Sequence, residues 1–92
     1  MIASLDLSAR VGKDVMFREL DGEAVLLNLE SGKYYGLDPV GLRIWEFVQR
    51  TPLLRLVWQS MKDEFDAPAD TLHQDLLAFI DELSVEGLIT LQ

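Results

Sequence analysis

The sequence predicts an α+β fold in which a three-stranded antiparallel sheet is followed by three helices. In the first half, short runs of β-favouring residues are separated by turn signals such as Asp21-Gly22. In the second half, apolar residues recur at helical spacing after each of the three prolines, Pro39, Pro52 and Pro68. With 92 residues, of which 49% are hydrophobic, we expect the whole chain, 1–92, to form a single domain around one core.

The first half of the chain predicts a loose arm and then a meander of three strands. Residues 1–13 show no clear period. The strands are predicted over 15–20, 23–29 and 33–37. Asp21-Gly22 is a strong signal for a two-residue hairpin loop, because both central positions of that loop need positive φ. If Ser31-Gly32 is also a two-residue loop, Leu29 lies opposite Tyr34.

The second half predicts helices over 39–50, 52–65 and 68–86. Asp38 can cap the first helix, and Thr51-Pro52 repeats the same combination of cap and proline. Gly87 is well placed as the residue just past the end of the third helix. Two helices joined by a short break and packed beside a small sheet make a winged helix-turn-helix.

Charge argues against the DNA binding that this architecture suggests. The formal net charge is −8, and eight acidic residues but no basic residue follow Lys62. The third helix would enter the major groove, yet it offers no lysine or arginine to phosphates or bases. We therefore expect no nucleic-acid partner, although a winged-helix regulator stays the first alternative function.

The sequence gives little support for catalysis, a metal or a cofactor. His73 is the only histidine, and no nucleophile stands in register with it. The chain has no cysteine, and its acidic residues lack the spacing of a calcium loop. No signal peptide or membrane-spanning run is apparent, so the chain fits a cytoplasmic, non-enzymatic protein without membrane contact.

Both faces of the predicted sheet are apolar, whereas a half-solvated sheet alternates apolar and polar residues. One face carries Val15, Phe17, Ala24, Leu26, Tyr35 and Leu37, and the other carries Met16, Val25, Leu27, Leu29 and Tyr34. The helices can cover only one face. The third strand also lies at the edge of the meander, where only Lys33 offers a protecting charge. An extended peptide, the arm over 1–13 or a second copy of the chain could each fill this edge, and the pattern leaves the three open.

Two stretches resemble the signature of the PqqD-like family, the recognition elements of ribosomally made, post-translationally modified peptides. They are GKYYGLDPVGLRIW at 32–45 and DLLAFIDEL at 75–83, the latter followed by EGLI at 86–89. The match covers roughly 14–92. The Tyr-Tyr-Gly-Leu version of the motif resembles that of the stand-alone proteins of lasso-peptide pathways more than that of the family's quinone-cofactor protein.

The resemblance implies a domain without chemistry of its own that binds the leader of a precursor peptide as an added strand. A partner peptidase, cyclase or other modifying enzyme would then act on the precursor. The implied peptide-binding residues lie on the third strand and third helix: Lys33, Tyr34, Tyr35, Gly36, Leu37, Leu72, Asp75, Leu76 and Phe79. Asp75 is placed to pair with a basic leader residue. A self-associating structural module stays the second alternative.

Overall fold

Two small sheets and three helices make up the fold, and a computed structural model describes residues 3–92. In chain order the elements are β1 (Ala9–Val11), β2 (Val15–Leu20), β3 (Glu23–Asn28), β4 (Tyr34–Leu37), α1 (Pro39–Arg50), α2 (Leu54–Glu64), α3 (Ala69–Val85) and β5 (Ile89–Leu91). One antiparallel sheet has the order β2-β3-β4, and β1 pairs with β5 in the other. The predicted α+β class, with three strands in one sheet and three helices, is confirmed.

The β2–β3 hairpin closes as the sequence predicts. Asp21 has φ 54° and Gly22 has φ 80°, and Leu20 pairs directly with Glu23. Two successive positive φ values match the right-handed twist of the flanking strands, which is why Asp-Gly is favoured there.

The connection between β3 and β4 is longer than expected. The Asn28 amide nitrogen donates to the Lys33 carbonyl at 3.0 Å, so these two residues close the turn. Inside it, Oδ1 of Asn28 accepts from the amides of Glu30 and Ser31 at 3.0 and 3.3 Å. The predicted two-residue loop is therefore wrong, because the asparagine side chain organises a wider turn.

As a result of the wider turn, Tyr34 lies opposite Leu27 rather than Leu29. Because the shift is two residues, and side chains alternate with a period of two, every side chain keeps its expected face.

The N-terminal arm is not loose. Ala9 lies opposite Leu91 in the β1–β5 pair, and the Ala3 amide donates to the Asp81 carboxylate at 2.8 Å. Leu5 and Ala9 are buried, with 8% and 1% of their surface exposed. Burial of these apolar side chains fixes the arm although its sequence shows no period. The first two residues of the predicted arm lie outside the described part of the chain.

The arm also explains why α2 begins later than the predicted residue 52. Thr51 closes the end of α1 instead, where its amide donates to the Phe47 carbonyl. The amides of Leu54 and Arg55 donate to the carbonyls of Leu7 and Leu5 at 3.0 and 3.1 Å. These are donors that a helix start leaves without intrahelical partners, and the arm satisfies them in place of a side-chain cap.

The ends of the other two helices follow their sequence signals. The Asp38 carboxylate accepts from the Gly41 amide at 2.6 Å and caps α1. Gly87 has φ 72°, and the Leu88 amide turns back to the Leu83 carbonyl at 2.9 Å. That geometry ends α3 and directs the chain into β5.

The core lies between the helices and one face of the three-stranded sheet. Leu26 from β3 is fully buried, as are Leu54 from α2 and Leu76 from α3. The buried residues of α3, Leu72, Leu76, Ile80 and Leu83, form a single stripe on the helix. Within residues 3–92, no helix is long and apolar enough to cross a membrane.

We expect Leu5→Ala to lower the free energy of unfolding by about 2–4 kcal/mol, because it removes a buried side chain from the core. Leu56→Ala is the matched control, since Leu56 is 43% exposed. Thermal and urea unfolding of both variants measures the difference. Equal stability of the two variants would show that the arm contributes nothing to the core.

Candidate functional site

The outer edge of β4 carries main-chain groups without a strand partner in the described chain. β4 pairs with β3 alone, and the N-terminal arm is engaged with β5 instead. Asn28 and Lys33 form a hydrogen-bonded pair. Since bonded and non-bonded pairs alternate along an antiparallel ladder, Tyr35 and Leu37 direct their main-chain groups towards β3. Tyr34 and Gly36 therefore direct theirs away from the sheet.

A groove runs between this edge and α3. Its first part has a volume of about 270 Å³ and is lined by Tyr35, Gly36, Asp38, Asp75, Ala78, Phe79 and Glu82. Phe79 forms its apolar wall and meets Tyr35 edge-on, with ring centroids 6.3 Å apart. A Cβ added at Gly41 would lie 3.3 Å from the Phe79 ring, so the glycine lets that ring approach the start of α1 closely. The result is an open trough with an aromatic wall.

A hydrogen bond from the Tyr35 hydroxyl to the Glu82 carboxylate crosses the groove. Burial, followed by this bond and the negative charge of Glu82, raises the pKa of Tyr35 to about 12. Tyr35 therefore stays protonated and donates to Glu82 at physiological pH. The bond ties β4 to α3 and divides the groove into two pockets.

The second pocket, on the far side of that bond, has a volume of about 300 Å³ and is lined by Tyr35, Asp81, Glu82, Val85 and Glu86. Val85 is 80% exposed and provides an apolar surface. Both pockets thus combine an apolar wall with a rim of carboxylates. Such a pair of pockets suits side chains that have an aliphatic stem and a positively charged end.

The structure brings four of the nine sequence-predicted site residues into the groove: Tyr35, Gly36, Asp75 and Phe79. Tyr34 contributes only main-chain groups to this edge, since its side chain lies on the opposite face of the sheet and is 69% exposed. Lys33 precedes β4, and its carbonyl is taken by Asn28, while its exposed side chain lies beyond the second pocket.

The other three predicted residues lie in the hydrophobic core. Leu37, Leu72 and Leu76 are 9%, 5% and 0% exposed, which leaves them almost no surface for a ligand. They support the groove from beneath, because Leu37 belongs to β4 and the two leucines belong to α3.

Sequence reasoning missed Asp38, Ala78 and Glu82. The signal for the last two is present: the groove residues of α3 follow Asp75 at spacings of three, four and seven residues. That spacing defines one face of a helix, adjacent to the core stripe. Asp38 was recognised only as a helix cap, although its position at the end of β4 also places it in the groove.

No catalytic arrangement surrounds the one histidine. His73 packs against Trp58, with ring centroids 5.4 Å apart, and the Trp58 indole donates to the Ala69 carbonyl at 3.0 Å. Across residues 3–92, no three acidic or histidine side chains are grouped so that they could hold a metal ion.

Comparison with known proteins gives a consistent result. The family described as coenzyme PQQ synthesis protein D, PqqD, matches residues 23–89. A structure of TbiB1 in complex with the TbiA(beta) leader peptide is 30% identical, covers 87% of this chain and 93% of its own, and has a TM-score of 0.80. A lasso peptide synthetase B1 complexed with the leader peptide is 24% identical, with a TM-score of 0.70 over 90% of this chain and 98% of its own. Among curated proteins, a sequence search finds no match.

The raised pKa of Tyr35 predicts a loss of stability in alkali. A raised native pKa stabilises the fold below the ordinary value of 10.0, and this contribution disappears as pH rises through about 12. Tyr34→Phe leaves Tyr35 as the one remaining tyrosine of two, so phenolate absorbance then reports its titration. Adding Glu82→Gln should lower the midpoint while keeping it above 10.0, because burial remains. An unmoved midpoint would mean that Glu82 does not act on Tyr35.

Proposed function

Because the chain belongs to the PqqD family, we propose that it binds the leader segment of a ribosomally made precursor peptide along β4. The observation that carries the proposal is the open β4 edge beside the groove formed with α3. The leader complexes of two similar structures support it. On this proposal the chain performs no chemistry itself.

The leader adds to the sheet as an antiparallel strand. Tyr34 and Gly36 each offer an amide donor and a carbonyl acceptor, so a short extended segment can form up to four main-chain hydrogen bonds. These bonds depend little on the leader's sequence. They fix its direction and register and leave specificity to its side chains.

Alternate side chains of the added strand point towards α3 and are spaced about 7 Å apart, which is two residues of an extended chain. The inward side chain opposite Tyr35 lies beside its ring, and the inward side chains two residues before and after it lie opposite Leu37 and Lys33. Of these two outer side chains, one enters the pocket beside Phe79, and the other enters the pocket beside Val85. Tyr35 separates these two anchors and sets the distance between them.

The acidic rims favour a basic leader residue at one or both anchors. Asp75 and Glu82 border the first pocket, and Glu86 borders the second. Ordering the leader costs about 1–2 kcal/mol for each residue fixed. With strand hydrogen bonds and two anchors, a binding free energy of about −8 to −10 kcal/mol is reasonable, which corresponds to micromolar to tens of nanomolar affinity.

A bound leader raises the local concentration of the attached precursor at a partner enzyme. That enzyme is a peptidase, cyclase or other modifying enzyme that acts on the segment following the leader. The protein thus serves as an adaptor whose affinity for the leader directs the enzyme to its substrate.

The two alternative functions receive less support from the structure. The exposed surface of α3 is acidic and carries no basic residue, which opposes insertion into a DNA groove. Self-association through the β4 edge would place two acidic α3 helices close together. A gel shift at low salt and sedimentation without peptide test these alternatives.

Gly36→Pro should weaken leader binding about tenfold or more, because it removes an outward amide and leaves a leader carbonyl without its donor. The β3–β4 ladder does not use that amide, so the fold should survive. The measurement is fluorescence anisotropy with a labelled leader peptide of a candidate precursor.

Gly36→Ala is the matched control. A Cβ at this position meets no heavy atom within 4 Å, and the amide is retained, so affinity should change less than about twofold. Circular dichroism checks that both variants keep their secondary structure. Unchanged affinity in folded Gly36→Pro protein would exclude strand addition at this edge.

Asp75→Asn should weaken binding of a leader with a basic anchor about two- to fivefold and make the affinity less dependent on salt. Asp70→Asn removes an equal charge from the first turn of α3, outside both pockets, and should have little effect. Titrations at several salt concentrations distinguish the two variants. An equal effect of both substitutions would point to net charge rather than to a pocket.

A further inference from the structure

The three-stranded sheet has a second open edge, formed by β2 at the opposite end from β4. Among the strands of the described chain, β2 pairs with β3 alone. Leu20 and Glu23 close a two-residue loop, so they form a hydrogen-bonded pair, and bonded and non-bonded pairs alternate from there. Val15, Phe17 and Glu19 therefore direct their main-chain groups away from the sheet.

The sequence along this edge is complementary to itself when two copies run antiparallel. Residues 13–19 read Lys-Asp-Val-Met-Phe-Arg-Glu. In the register that sets Met16 opposite Met16 of a second copy, the opposed residues are Lys13 with Glu19, Asp14 with Arg18, and Val15 with Phe17. Each charge then meets its opposite, and the apolar residues meet each other. Charges on an edge strand usually oppose pairing, but these charges favour one particular pairing.

We propose that two copies of the chain pair antiparallel through β2, with Met16 on the two-fold axis. Val15 of each copy forms a hydrogen-bonded pair with Phe17 of the other, since both residues direct their main-chain groups outward. The two pairs give up to four main-chain hydrogen bonds. The two three-stranded sheets become one sheet of six strands.

The charges distinguish this register from its neighbours. Side chains alternate between the faces of a sheet, so two strands that keep their faces slip by two residues at a time. A slip in one direction sets Met16 against the charge of Arg18, and a slip in the other sets it against Asp14. Two slips in the first direction set Arg18 opposite Arg18 of the second copy, and like charges directly opposite each other are destabilising.

Asp14 is in place for this pairing although it precedes β2. Its carbonyl accepts from the Leu29 amide at 2.8 Å, so the ladder with the neighbouring strand extends to it. The side chains of Asp14 and Arg18 are both exposed. A second copy therefore reaches both charges without a change in the fold.

An open trough beside β2 leaves room for the side chains of the second copy. Phe17 is 38% exposed there. In the proposed register Val15 of the second copy lies opposite Phe17, and its Lys13 lies opposite the Glu19 carboxylate. The trough has a volume of about 360 Å³ and is lined by residues of β2 and α1: Phe17, Glu19, Leu42, Trp45, Glu46, Gln49 and Arg50.

The excess of negative charge lies away from this contact. Residues 1–62 carry eight acidic and eight basic residues, and the surplus of acidic residues follows Lys62. Neighbouring strands are about 4.8 Å apart, so the two β4 strands lie about 24 Å apart at the ends of the six-stranded sheet. The acidic α3 helices that flank them are thus kept apart.

The contact is small, and it leaves both leader sites open. A stable interface buries about 800 Å² on each partner, which a single pair of six-residue strands does not reach. We therefore expect a dissociation constant of about 10–100 μM. Each dimer carries two open β4 edges and should bind two leaders. Only this last consequence rests on the proposed function, since the pairing of β2 needs no leader.

Reversing either charge of one pair tests the contact by sedimentation. Asp14→Lys and Arg18→Glu each put two like-charged pairs into the homodimer and should weaken dimerisation about tenfold or more. An equimolar mixture of the two variants restores opposite charges at both positions, so it should dimerise as the wild type does. Asp63→Lys is the matched control, because it makes the same change of net charge on an exposed position of α2.

Disulfide cross-linking tests the register, because the chain has no cysteine of its own. Met16→Cys places two thiols in a non-hydrogen-bonded pair, whose Cα atoms lie about 4.5 Å apart and within disulfide range. Arg18→Cys is the matched control, since position 18 is the more exposed of the two. Its two thiols lie four residues apart along the strands, which is about 13 Å. Mild oxidation should therefore cross-link Met16→Cys about tenfold faster or more.

Three results would overturn the β2 dimer. They are a wild-type protein that stays monomeric at about 1 mM, a mixture of the charge variants that stays monomeric, and cross-linking of Arg18→Cys that is as fast as that of Met16→Cys. Leader titrations separate this inference from the proposed function. A dimer that binds no leader contradicts leader recognition at β4 alone, and a monomer that binds leader contradicts the β2 dimer alone.

Discussion

The pairing of β1 with β5 is the constraint on which the rest of the structure depends. It holds the N-terminal arm against β5 and the start of α2, where the carbonyls of Leu7 and Leu5 accept from the first amides of α2. An arm free to move could add to β4 and compete with any visiting strand. Because the arm is fixed by β5 and the core, β4 keeps an open edge that the arm does not occupy.

Two adjacent stripes of α3 have different roles in the structure. Leu72, Leu76, Ile80 and Leu83 close the core and hold the helix in place. The neighbouring stripe, which begins at Asp75 and includes Phe79 and Glu82, forms the groove. Packing of the core stripe already fixes the position of α3. Little further ordering of the protein should therefore accompany the entry of a side chain into the groove. The hydrogen bond from Tyr35 to Glu82 also links β4 to α3, the two sides of the groove.

Most of the fold could be predicted from local signals, because each acts within a few residues. Asp21-Gly22 fixed one hairpin, Asp38 capped α1, and Gly87 ended α3. The β3–β4 turn could not be predicted from Ser31-Gly32 alone, because the Asn28 side chain widens the turn by accepting hydrogen bonds from the amides of Glu30 and Ser31. The arm is ordered by its pairing with β5, some 80 positions away in the sequence, so no local hydrophobic period predicts it. At the site, the family resemblance implied that Leu72 and Leu76 line the groove, but both side chains are buried in the core. Of the acidic residues that line the groove, Asp75 was predicted at the site, Asp38 was recognised only as a helix cap, and Glu82 was missed.

Tyr34 and Tyr35 are neighbours in sequence, yet their side chains lie on opposite faces of β4. The Tyr35 ring borders the groove and is tied to α3, whereas the Tyr34 ring lies on the face that the helices leave uncovered, where it is 69% exposed. A substitution at Tyr35 therefore alters the groove, and a substitution at Tyr34 leaves the groove unchanged. Two adjacent positions of one strand can in this way vary separately.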